Sequence, residues 1–283
     1  GDRILLVGHG MYQICTMKIL LGIDLEALRQ ECDESGRSMI PNGGIMVFTY
    51  EDGEYQIQQI PVEPKNFEYK MEDKTVHLYY VRHGETLFNH YNRMQGRSDS
   101  PLTAQGIEQV KLSGKALHNI DFAFAYCSSA ERARDTAAYI LESHDISAIP
   151  NRDLREIDFG TYEARVRDSI MDELYERFNP RVDFSDVGGE SEEQVIERIK
   201  RILTLAVARA KDKENVLLVA HGSLYMTMIK YLFNIYRADL TEQMKAKGKH
   251  IMPNGGIAKF TFSQGTYQLD QLMVTPEEFV EVQ

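Results

Sequence analysis

The chain has 283 residues, which is long enough for one large domain or two modest domains with hydrophobic cores. Its formal charge is −11 and it contains no basic run, and these two properties argue against nucleic-acid binding. Its three cysteines are too few and too widely spaced for a disulfide scaffold, so we expect a reducing compartment, the cytoplasm.

The first 67 residues predict a strand, a helix, a glycine turn and a hairpin. The strand covers residues 4–7 and is followed by His9-Gly10. The hairpin pairs residues 45–50 with residues 54–60. Polar residues interrupt the apolar stretches near the start of the chain, so this region indicates neither a signal peptide nor a membrane span.

The next predicted strand, residues 76–81, ends in the motif Arg82-His83-Gly84-Glu85-Thr86. A later apolar run, residues 216–220, ends in His221-Gly222. Ligands of open α/β sheets bind beyond the carboxyl ends of the strands, so both histidines and the arginine are expected at one site. A neutral imidazole can attack phosphorus and carry the phosphoryl group covalently, and arginine binds phosphate oxygens through a planar fork. These residue types therefore favour phosphoryl transfer.

Helices and strands alternate between and after these two motifs. Thr103 caps a predicted helix that runs to about residue 118, and a strand follows at residues 122–127. Ser129 is predicted to open the next helix, which places backbone N–H groups and Arg132 near an anion. The remaining predicted elements are a helix capped by Ser191, a helix over residues 223–236, and a hairpin of residues 256–262 and 267–274. This alternation predicts a three-layer α/β/α sandwich.

Seven sequence motifs occur in one order along the second part of the chain. They are Arg82-His83-Gly84-Glu85-Thr86 with Asn89, Arg93-Met94-Gln95-Gly96, Asp99-Ser100-Pro101-Leu102-Thr103 with Gly106 and Gln109, Ser128-Ser129-Ala130-Glu131-Arg132-Ala133 with Thr136-Ala137, Leu154-Arg155-Glu156-Ile157-Asp158-Phe159-Gly160, Gly188-Gly189-Glu190-Ser191, and His221-Gly222. Together they resemble the histidine phosphatase superfamily over residues 74–283. The resemblance implies the phosphoglycerate mutase-like fold, an α/β fold with a mixed central sheet.

The resemblance also implies roles for the residues that match the motifs. His83 is implied to be the nucleophile that becomes phosphohistidine. The residues implied to surround the phosphoryl group are Arg82, Arg132 and His221. The residues expected to contact the phosphate or the rest of the substrate are Asn89, Gln95, Gly96 and Thr86. The implied partner is a small phosphorylated substrate, and no cofactor is expected.

Glu156 is implied to protonate the leaving oxygen and then to activate the water that hydrolyses the phosphohistidine. Its position between Leu154 and Ile157 agrees with this role, because apolar neighbours partly desolvate a carboxyl group. If Glu156 does not act, Asp158 and Glu163 are the next candidates. The other histidines lack metal-ligand spacing and the cysteines form no CxxC pair, so we predict no metal.

The sequence contains an internal repeat. Residues 3–67 align without a gap with residues 215–279, at a constant offset of 212 positions, and 24 of the 65 aligned positions are identical. The clearest match joins Pro41-Asn42-Gly43-Gly44 to Pro253-Asn254-Gly255-Gly256. A gapless repeat of this length indicates duplication.

The repeat predicts two domains of unequal completeness. Residues 1–67 are interpreted as the C-terminal part of a first, incomplete histidine phosphatase domain in a longer tandem chain. Residues 68–73 are interpreted as a linker and residues 74–283 as a complete second domain. His9 has no Arg-His-Gly partner in the first copy, so we assign it no catalytic role. The first copy lacks the strands that would flank residues 4–7, which leaves unpaired backbone edges. We therefore expect residues 1–67 to be loosely ordered or to pair with another surface. That surface is the neighbouring domain or a second chain, and pairing with a second chain would form a homo-oligomer.

Phosphatases and mutases of the family share the same core. Mutases additionally clamp a substrate carboxylate with basic residues in an insertion after the acid loop, which in this sequence comprises residues 154–163. The arginines of the corresponding stretch, residues 163–187, are Arg165, Arg167, Arg177 and Arg181. This stretch lacks the paired-arginine, proline-rich segment of the cofactor-dependent mutases. The acid loop resembles that of the phosphatases, although Ala164 stands where they usually have glycine, so we favour a histidine acid-type phosphatase over a mutase.

A non-catalytic interaction module is the alternative from another class. The incomplete first domain raises this question. An interaction module has no chemical need for the whole set of catalytic side chains, however, and the second domain retains all of them. Hydrolysis of a generic aryl phosphate distinguishes the two.

Overall fold

The computed structural model describes residues 9–51, 53–63 and 74–279. The chain divides into two compact units, Gly1–Lys70 and Met71–Gln283. The predicted strand at residues 4–7 and the predicted linker at residues 68–73 lie outside the described residues. Within the described ranges, no helix is both long enough and apolar enough to cross a membrane.

The first unit consists of short helices followed by a two-stranded hairpin. Its elements are α1 (Gly10–Cys15), a π-helical turn (Thr16–Leu20), α2 (Leu25–Glu34), β1 (Ile45–Glu51) and β2 (Glu54–Val62). The Asp24 side chain caps α2 by accepting hydrogen bonds from the N–H groups of Glu26 and Ala27. Gly53 has a φ of +91° and turns the chain between β1 and β2, which pair antiparallel as the sequence predicts.

The elements of the first unit recur in the second unit at the offset of the sequence repeat. The elements α2, β1 and β2 correspond residue for residue to α9 (Arg237–Ala246), β7 (Ile257–Ser263) and β8 (Thr266–Val274). Burial differs between the copies, since Tyr12 is 71% exposed whereas the aligned Leu224 is 1% exposed. Tyr50 is 63% exposed whereas the aligned Phe262 is fully buried. The first unit therefore exposes apolar positions that the second unit covers.

The second unit is built on a six-stranded sheet. Its strands are β3 (Val76–Arg82), β4 (Phe122–Ser128), β5 (Ala148–Asn151), β6 (Glu214–Ala220), β7 and β8. They lie in the order β5-β4-β6-β3-β7-β8. The neighbours among β3 to β6 pair parallel, whereas β7 pairs antiparallel with β3 and with β8. The mixed central sheet is thus confirmed.

Helices cover both faces of this sheet. They are α3 (Leu87–His90), α4 (Ala104–Leu117), α5 (Glu131–Ile140), α6 (Met171–Phe178), α7 (Glu192–Arg209), α8 (Gly222–Phe233), α9 and α10 (Pro276–Phe279). Successive side chains of β3 point to opposite faces, so Tyr80 packs in one core with α7 and α8 while Val81 packs in another with α4 and α5. A strand buried on both faces has a continuous apolar sequence, as β3 does. The three-layer α/β/α sandwich is therefore confirmed.

Two helix boundaries differ from the prediction. Helix α5 begins at Glu131 rather than at Ser129, because Asp99 from a distant loop accepts a hydrogen bond from the Glu131 N–H at 2.6 Å. Helix α8 ends at Phe233 rather than at residue 236. Asn234 has a φ of 56° there, and a left-handed residue ends a helix.

Candidate active site

The register of β3 and β6 brings the two histidines to one edge of the sheet. Arg82 pairs with Ala220 across these parallel strands, so both strands end at the same level. The N–H of His83 donates to the carbonyl of Ala220 at 3.0 Å. His83 and His221 therefore leave the carboxyl ends of adjacent strands side by side, where α/β folds bind their ligands.

His83 is buried, and its hydrogen bond defines the tautomer of its imidazole. Its Nδ1 lies 2.8 Å from the carbonyl oxygen of Gly84. A carbonyl oxygen only accepts, so Nδ1 carries the proton and Nε2 keeps its lone pair. Burial, with the positive charges of Arg132 and Arg82, holds the pKa of His83 well below its ordinary value of 6.5. The imidazole is therefore neutral at pH 7, as a nucleophile must be.

The backbone beside His83 is anchored by the repeated motif Pro253-Asn254-Gly255-Gly256. The N–H of Gly255 donates to the carbonyl of Arg82 at 3.1 Å, and the carbonyl of Gly256 accepts from the N–H of Arg82 at 3.0 Å. The side-chain amide of Asn254 donates to the carbonyl of His83 at 3.1 Å. The catalytic motifs assign no role to Asn254. The signal that marks it is its recurrence in the repeat as Asn42.

His221 lies beside His83, with 5.2 Å between the two ring centroids, and is fully buried. The hydroxyl of Tyr80 donates to the carbonyl of His221 at 2.8 Å and fixes its backbone. Burial, the charge of Arg132 and the neighbouring His83 hold the pKa of His221 well below 6.5. Its Nε2 lies 2.7 Å from the hydroxyl of Ser128. When that hydroxyl donates, Nδ1 carries the proton and is a donor for a ligand.

Arg132 is fully buried and its guanidinium is held by three acceptors. Its Nη1 donates to the carbonyl of Ser98 at 3.1 Å and to the carboxylate of Asp99 at 2.8 Å. Its Nη2 donates to the carbonyl of Gly96 at 3.0 Å. These contacts position the charge of Arg132 before a ligand binds, which is how preorganised sites stabilise developing charge.

Arg82 donates through Nη1 to the carbonyl of Met252. Burial and the nearby charge of Arg167 lower the pKa of Arg82 to about 10, which leaves its guanidinium charged at pH 7. A Cβ at Gly222 would lie 3.2 Å from Nε of Arg82 and 3.1 Å from the sulfur of Met252. Close approach to Arg82 therefore explains the glycine in the second His-Gly step.

Glu156 is 6% exposed and reaches the first turn of α8. Its carboxylate accepts hydrogen bonds from the N–H groups of Ser223 at 2.9 Å and Leu224 at 2.8 Å. It also accepts from the N–H of Ile157 at 3.0 Å. A carboxylate is favourable at a helix N-terminus, so the same contacts orient Glu156 and stabilise α8.

Glu163, an alternative general acid by sequence, anchors two loops. Its oxygens accept hydrogen bonds from four backbone N–H groups, those of Gly96 at 3.1 Å, Arg97 at 2.8 Å, Ser98 at 3.0 Å and Phe159 at 3.2 Å. Gly96 and Ser98 are also the residues whose carbonyls hold Arg132. Glu163 thus links the acid loop to the segment that positions Arg132.

Asp158, the other alternative acid, is also engaged in structural contacts. Its carboxylate accepts from the N–H of Gly160 at 3.0 Å and lies 3.4 Å from Arg97. Further along this loop, Ala164 has a φ of 61°, in the left-handed region that favours glycine. The conformation of a glycine position is thus retained although the residue is alanine.

Gln95 and Asn89, two of the predicted substrate contacts, also form hydrogen bonds within the protein. The Oε1 of Gln95 accepts from the hydroxyls of Thr86 at 3.0 Å and Ser100 at 2.6 Å. These bonds orient the amide, and its Nε2 is buried without a partner in the described part of the chain. The Oδ1 of Asn89 accepts from the side chain of Asn254 at 3.2 Å. Direct contact of Gln95 and Asn89 with the substrate stays a prediction.

Thr86 and Gly96 make their hydrogen bonds within the protein, and their contact with the substrate stays a prediction. Thr86 is fully buried, and its hydroxyl donates to Gln95 and accepts from the N–H of Asn89 at 3.3 Å. Both backbone groups of Gly96 bind within the protein, as described above. A Cβ at Gly96 would lie 2.2 Å from the carbonyl of Ile157, so only glycine fits there.

Six buried side-chain polar atoms of the described residues lack a hydrogen-bond partner, and all six are nitrogens. They are Arg82 Nε, Gln95 Nε2, Arg132 Nε, Arg167 Nε, His221 Nδ1 and Arg237 Nη2. Arg167 and Arg237 have no predicted role. Buried donors without acceptors are costly, so this set fits a ligand with several anionic oxygens. The described residues contain no group of His, Cys, Asp and Glu side chains that could hold a metal ion.

The model of the histidine phosphatase superfamily, branch 1, matches residues 78–275. The chain is 36% identical over 149 residues to the probable phosphoglycerate mutase GpmB of Klebsiella pneumoniae (strain 342), covering 51% of this chain and 69% of that protein. It is 29% identical over 162 residues to the adenosylcobalamin/alpha-ribazole phosphatase of Escherichia coli (strain K12), covering 56% of this chain and 79% of that protein. The crystal structure of phosphoglycerate mutase from Bacillus anthracis str. Sterne matches with a TM-score of 0.63 at 27% identity, covering 75% of this chain and 98% of that chain.

Proposed function

Because this chain belongs to the histidine phosphatase superfamily, branch 1, we propose that residues 74–283 hydrolyse a phosphomonoester through a phosphohistidine. The substrate is a small phosphorylated metabolite, and the enzyme is of the histidine acid phosphatase type. The observation that carries this proposal is the neutral imidazole of His83 near the buried, unpaired nitrogens of four residues, Arg82, Arg132, Arg167 and His221. Phosphate supplies oxygens and negative charge in the geometry that arginine binds best.

In the first step, Nε2 of His83 attacks phosphorus, and an N–P bond forms while the P–O bond to the leaving alcohol breaks. Arg82 and Arg132 oppose the charge on the equatorial oxygens. His221 donates to the same oxygens through Nδ1. Glu156 transfers its proton to the leaving oxygen, so the alcohol departs uncharged.

In the second step, the roles reverse. The Glu156 carboxylate removes a proton from water, and the water oxygen attacks phosphorus as the N–P bond breaks. Inorganic phosphate leaves, His83 regains its lone pair and Glu156 is protonated again. The N-terminus of α8 supports this arrangement, since His221 precedes the helix and Glu156 caps it.

A cofactor-dependent phosphoglycerate mutase is the second candidate. The similar proteins include one named for each activity: the Klebsiella protein is named a probable mutase and the Escherichia protein a phosphatase. Both activities use a phosphohistidine and differ in whether water or a substrate hydroxyl accepts the phosphoryl group. We favour water because the acid loop resembles that of the phosphatases. A non-catalytic interaction module is the third candidate, and turnover excludes it.

The test is hydrolysis of p-nitrophenyl phosphate by the full chain, with rapid quenching to trap an acid-labile, base-stable phosphoprotein. His83→Ala should abolish turnover and phosphoprotein together. His9→Ala is the matched control, because His9 aligns with His221 in the repeat but is exposed. Retention of more than about a hundredth of the activity in His83→Ala would refute the assignment, since loss of a covalent nucleophile typically costs far more.

Two further measurements distinguish the alternatives. Arginines and imidazoles supply the positive charge, so activity should survive exhaustive EDTA treatment. Loss on chelation that Mg²⁺ or Zn²⁺ restores points to a metallophosphatase instead. Interconversion of 2- and 3-phosphoglycerate that outpaces phosphate release, in the presence of a bisphosphorylated cofactor, favours the mutase.

A further inference from the structure

A buried arginine of α7 holds the segment of chain that leads into Glu156. Arg198 is 4% exposed, and its Nη1 donates to the carbonyls of Asp153 at 2.9 Å and Arg155 at 2.5 Å. The second of these carbonyls belongs to the residue directly before Glu156. Arg198 also lies within electrostatic range of His221, so it adjoins the candidate site. The sequence motifs assign no role to Arg198.

Glu190 holds the segment of chain that follows Glu156. Its Oε1 accepts from Nε of Arg198 at 2.9 Å and its Oε2 accepts from Nη2 of the same arginine at 3.1 Å. Oε2 also accepts from the backbone N–H of Asp158 at 2.9 Å, and the backbone N–H of Glu190 donates to the carbonyl of Asp158 at 2.9 Å. Glu190 and Arg198, the acid-loop ion pair, therefore bind backbone groups on both sides of Glu156.

Arg97 joins the acid-loop ion pair from the loop that holds Arg132. Its Nη2 lies 3.2 Å from Oε1 of Glu190, and its Nε lies 3.4 Å from Oδ2 of Asp158. The Glu190 carboxylate is thus the point at which two guanidinium groups and the acid loop meet. A bidentate ion pair with this many partners restricts the chain to one geometry, and removal of one partner leaves an uncompensated charge.

We propose that Glu190 and Arg198 are positioning residues that hold Glu156 where it can protonate the leaving oxygen. This inference rests on the proposed function, because the proton that Glu156 transfers belongs to that reaction. Proton transfer requires the carboxyl group within hydrogen-bond reach of the leaving oxygen, so even a small displacement of the acid loop lowers the rate. The acid-loop ion pair fixes the backbone of Glu156, while the N–H groups of Ser223 and Leu224 orient its carboxylate.

Amide hydrogen exchange at the start of α8 reports the position of Glu156 without requiring turnover. The first N–H groups of a helix have no acceptor within it, so those of Ser223 and Leu224 depend on the Glu156 carboxylate. NMR of the full ¹⁵N-labelled chain measures their exchange rates. The N–H of Asn234 donates to the carbonyl of Lys230 at 2.9 Å at the other end of α8. Its exchange rate serves as the internal reference for a general loss of stability.

Two substitutions disrupt the acid-loop ion pair. Glu190→Gln replaces one acceptor oxygen with an NH₂ group, and Arg198→Lys keeps the charge but loses the planar fork. Each should raise the exchange rates of the two reporter amides at least about 10-fold relative to Asn234, because the acid loop is no longer fixed. Arg201→Gln is the matched control and should leave them unchanged. Arg201 is an exposed arginine of α7 that pairs with the side chain of Asp153 at 2.7 Å.

The dependence of kcat on the leaving group shows whether the displaced residue is the acid. For alkyl phosphates, kcat should fall about 10-fold or more in Glu190→Gln and in Arg198→Lys, whereas activated aryl phosphates should lose much less. In a chain that already carries Glu156→Gln, adding Glu190→Gln should lower kcat for alkyl phosphates by no more than about 2-fold, because the proton donor is already absent. A pair that only stabilises the fold would lower kcat equally for both substrate classes and in both backgrounds.

Unchanged exchange at Ser223 and Leu224 relative to Asn234 overturns the proposal. Equal losses for alkyl and aryl phosphates, or a full additional loss in the Glu156→Gln background, overturn it as well. If thermal unfolding shows that one of the two variants is not folded, the other variant decides. A chain that hydrolyses no phosphomonoester but shows the change in exchange contradicts the hydrolase and supports the positioning of Glu156. Hydrolysis with unchanged exchange contradicts the positioning role alone.

Discussion

The carboxylate of Glu156 accepts a hydrogen bond from the backbone N–H of Leu224 at 2.8 Å, so the candidate general acid caps the helix that follows His221. A second bond, from Ser223 at 2.9 Å, uses the other oxygen. The side chain that we propose as the proton donor therefore also has a structural role. Any substitution of Glu156 changes both the proton donation and the cap of α8. Only the dependence of the rate on the leaving group distinguishes the two effects.

Glu156→Gln keeps the shape of the side chain but cannot deliver a proton. Alkyl phosphates, whose leaving groups need protonation, should lose on the order of 10²-fold or more in kcat, whereas activated aryl phosphates should lose much less. The measurement is kcat for a series of phosphomonoesters with increasingly acidic leaving alcohols. Equal losses across the series would mean that Glu156 acts only through its contacts with α8.

Glu163→Gln should weaken phosphate binding through Arg132. Glutamine replaces one carboxylate oxygen with an NH₂ group, so two of the four backbone donors lose their acceptor. We expect a loss of about 1–3 kcal/mol in unfolding free energy and a weaker inhibition by inorganic phosphate. Because Glu163 acts through Arg132, adding Glu163→Gln to Arg132→Ala should raise the phosphate inhibition constant less than it does in the wild type. Fully additive effects, or a loss confined to alkyl phosphates, would contradict this positioning role.

The two buried histidines should titrate at unusually low pH. Burial and arginine charges hold the pKa of His83 and of His221 well below 6.5, so the unfolded chain binds protons near pH 6.5 and below while the folded chain does not. The unfolding free energy should therefore fall as the pH decreases below about 6.5, by at most about 1.4 kcal/mol per pH unit for each histidine. NMR of ¹³C-labelled histidine locates the midpoints, and His83→Asn should reduce the slope. A midpoint at or above 6.5 for either ring contradicts this expectation.

Removal of residues 1–73 should leave hydrolysis by residues 74–283 unchanged. The six-stranded sheet, its two cores and all the candidate catalytic residues belong to the second unit. Exposed apolar side chains such as Tyr12 and Tyr50 favour pairing of the first unit with another surface, so the shortened chain should self-associate less. Light scattering and aryl phosphate hydrolysis check both expectations. A shortened chain that is folded and monodisperse but inactive would show that this partition into domains is wrong.

The fold class, the family and the order of the catalytic motifs could be predicted from the amino-acid sequence. These features depend on local signals, because apolar runs, caps and glycine turns lie next to the residues that they position. The continuous apolar run before Arg82-His83 indicates a central strand, and β3 is buried on both faces as this requires. The recurrence of Pro-Asn-Gly-Gly likewise marked the segment that anchors the backbone of His83, although not its contacts.

The polar residues that support the candidate catalytic residues are visible only in the folded chain. Glu163 binds backbone groups 67 positions earlier in the chain, and Asn254 binds the carbonyl of His83 171 positions earlier. The start of α5 depends on Asp99, 32 positions before the N–H that it caps. Arg237 lies within electrostatic range of Glu156, which is 81 positions earlier in the chain. Such contacts depend on where distant loops meet in space, and no local pattern of hydrophobicity or turn residues encodes that meeting.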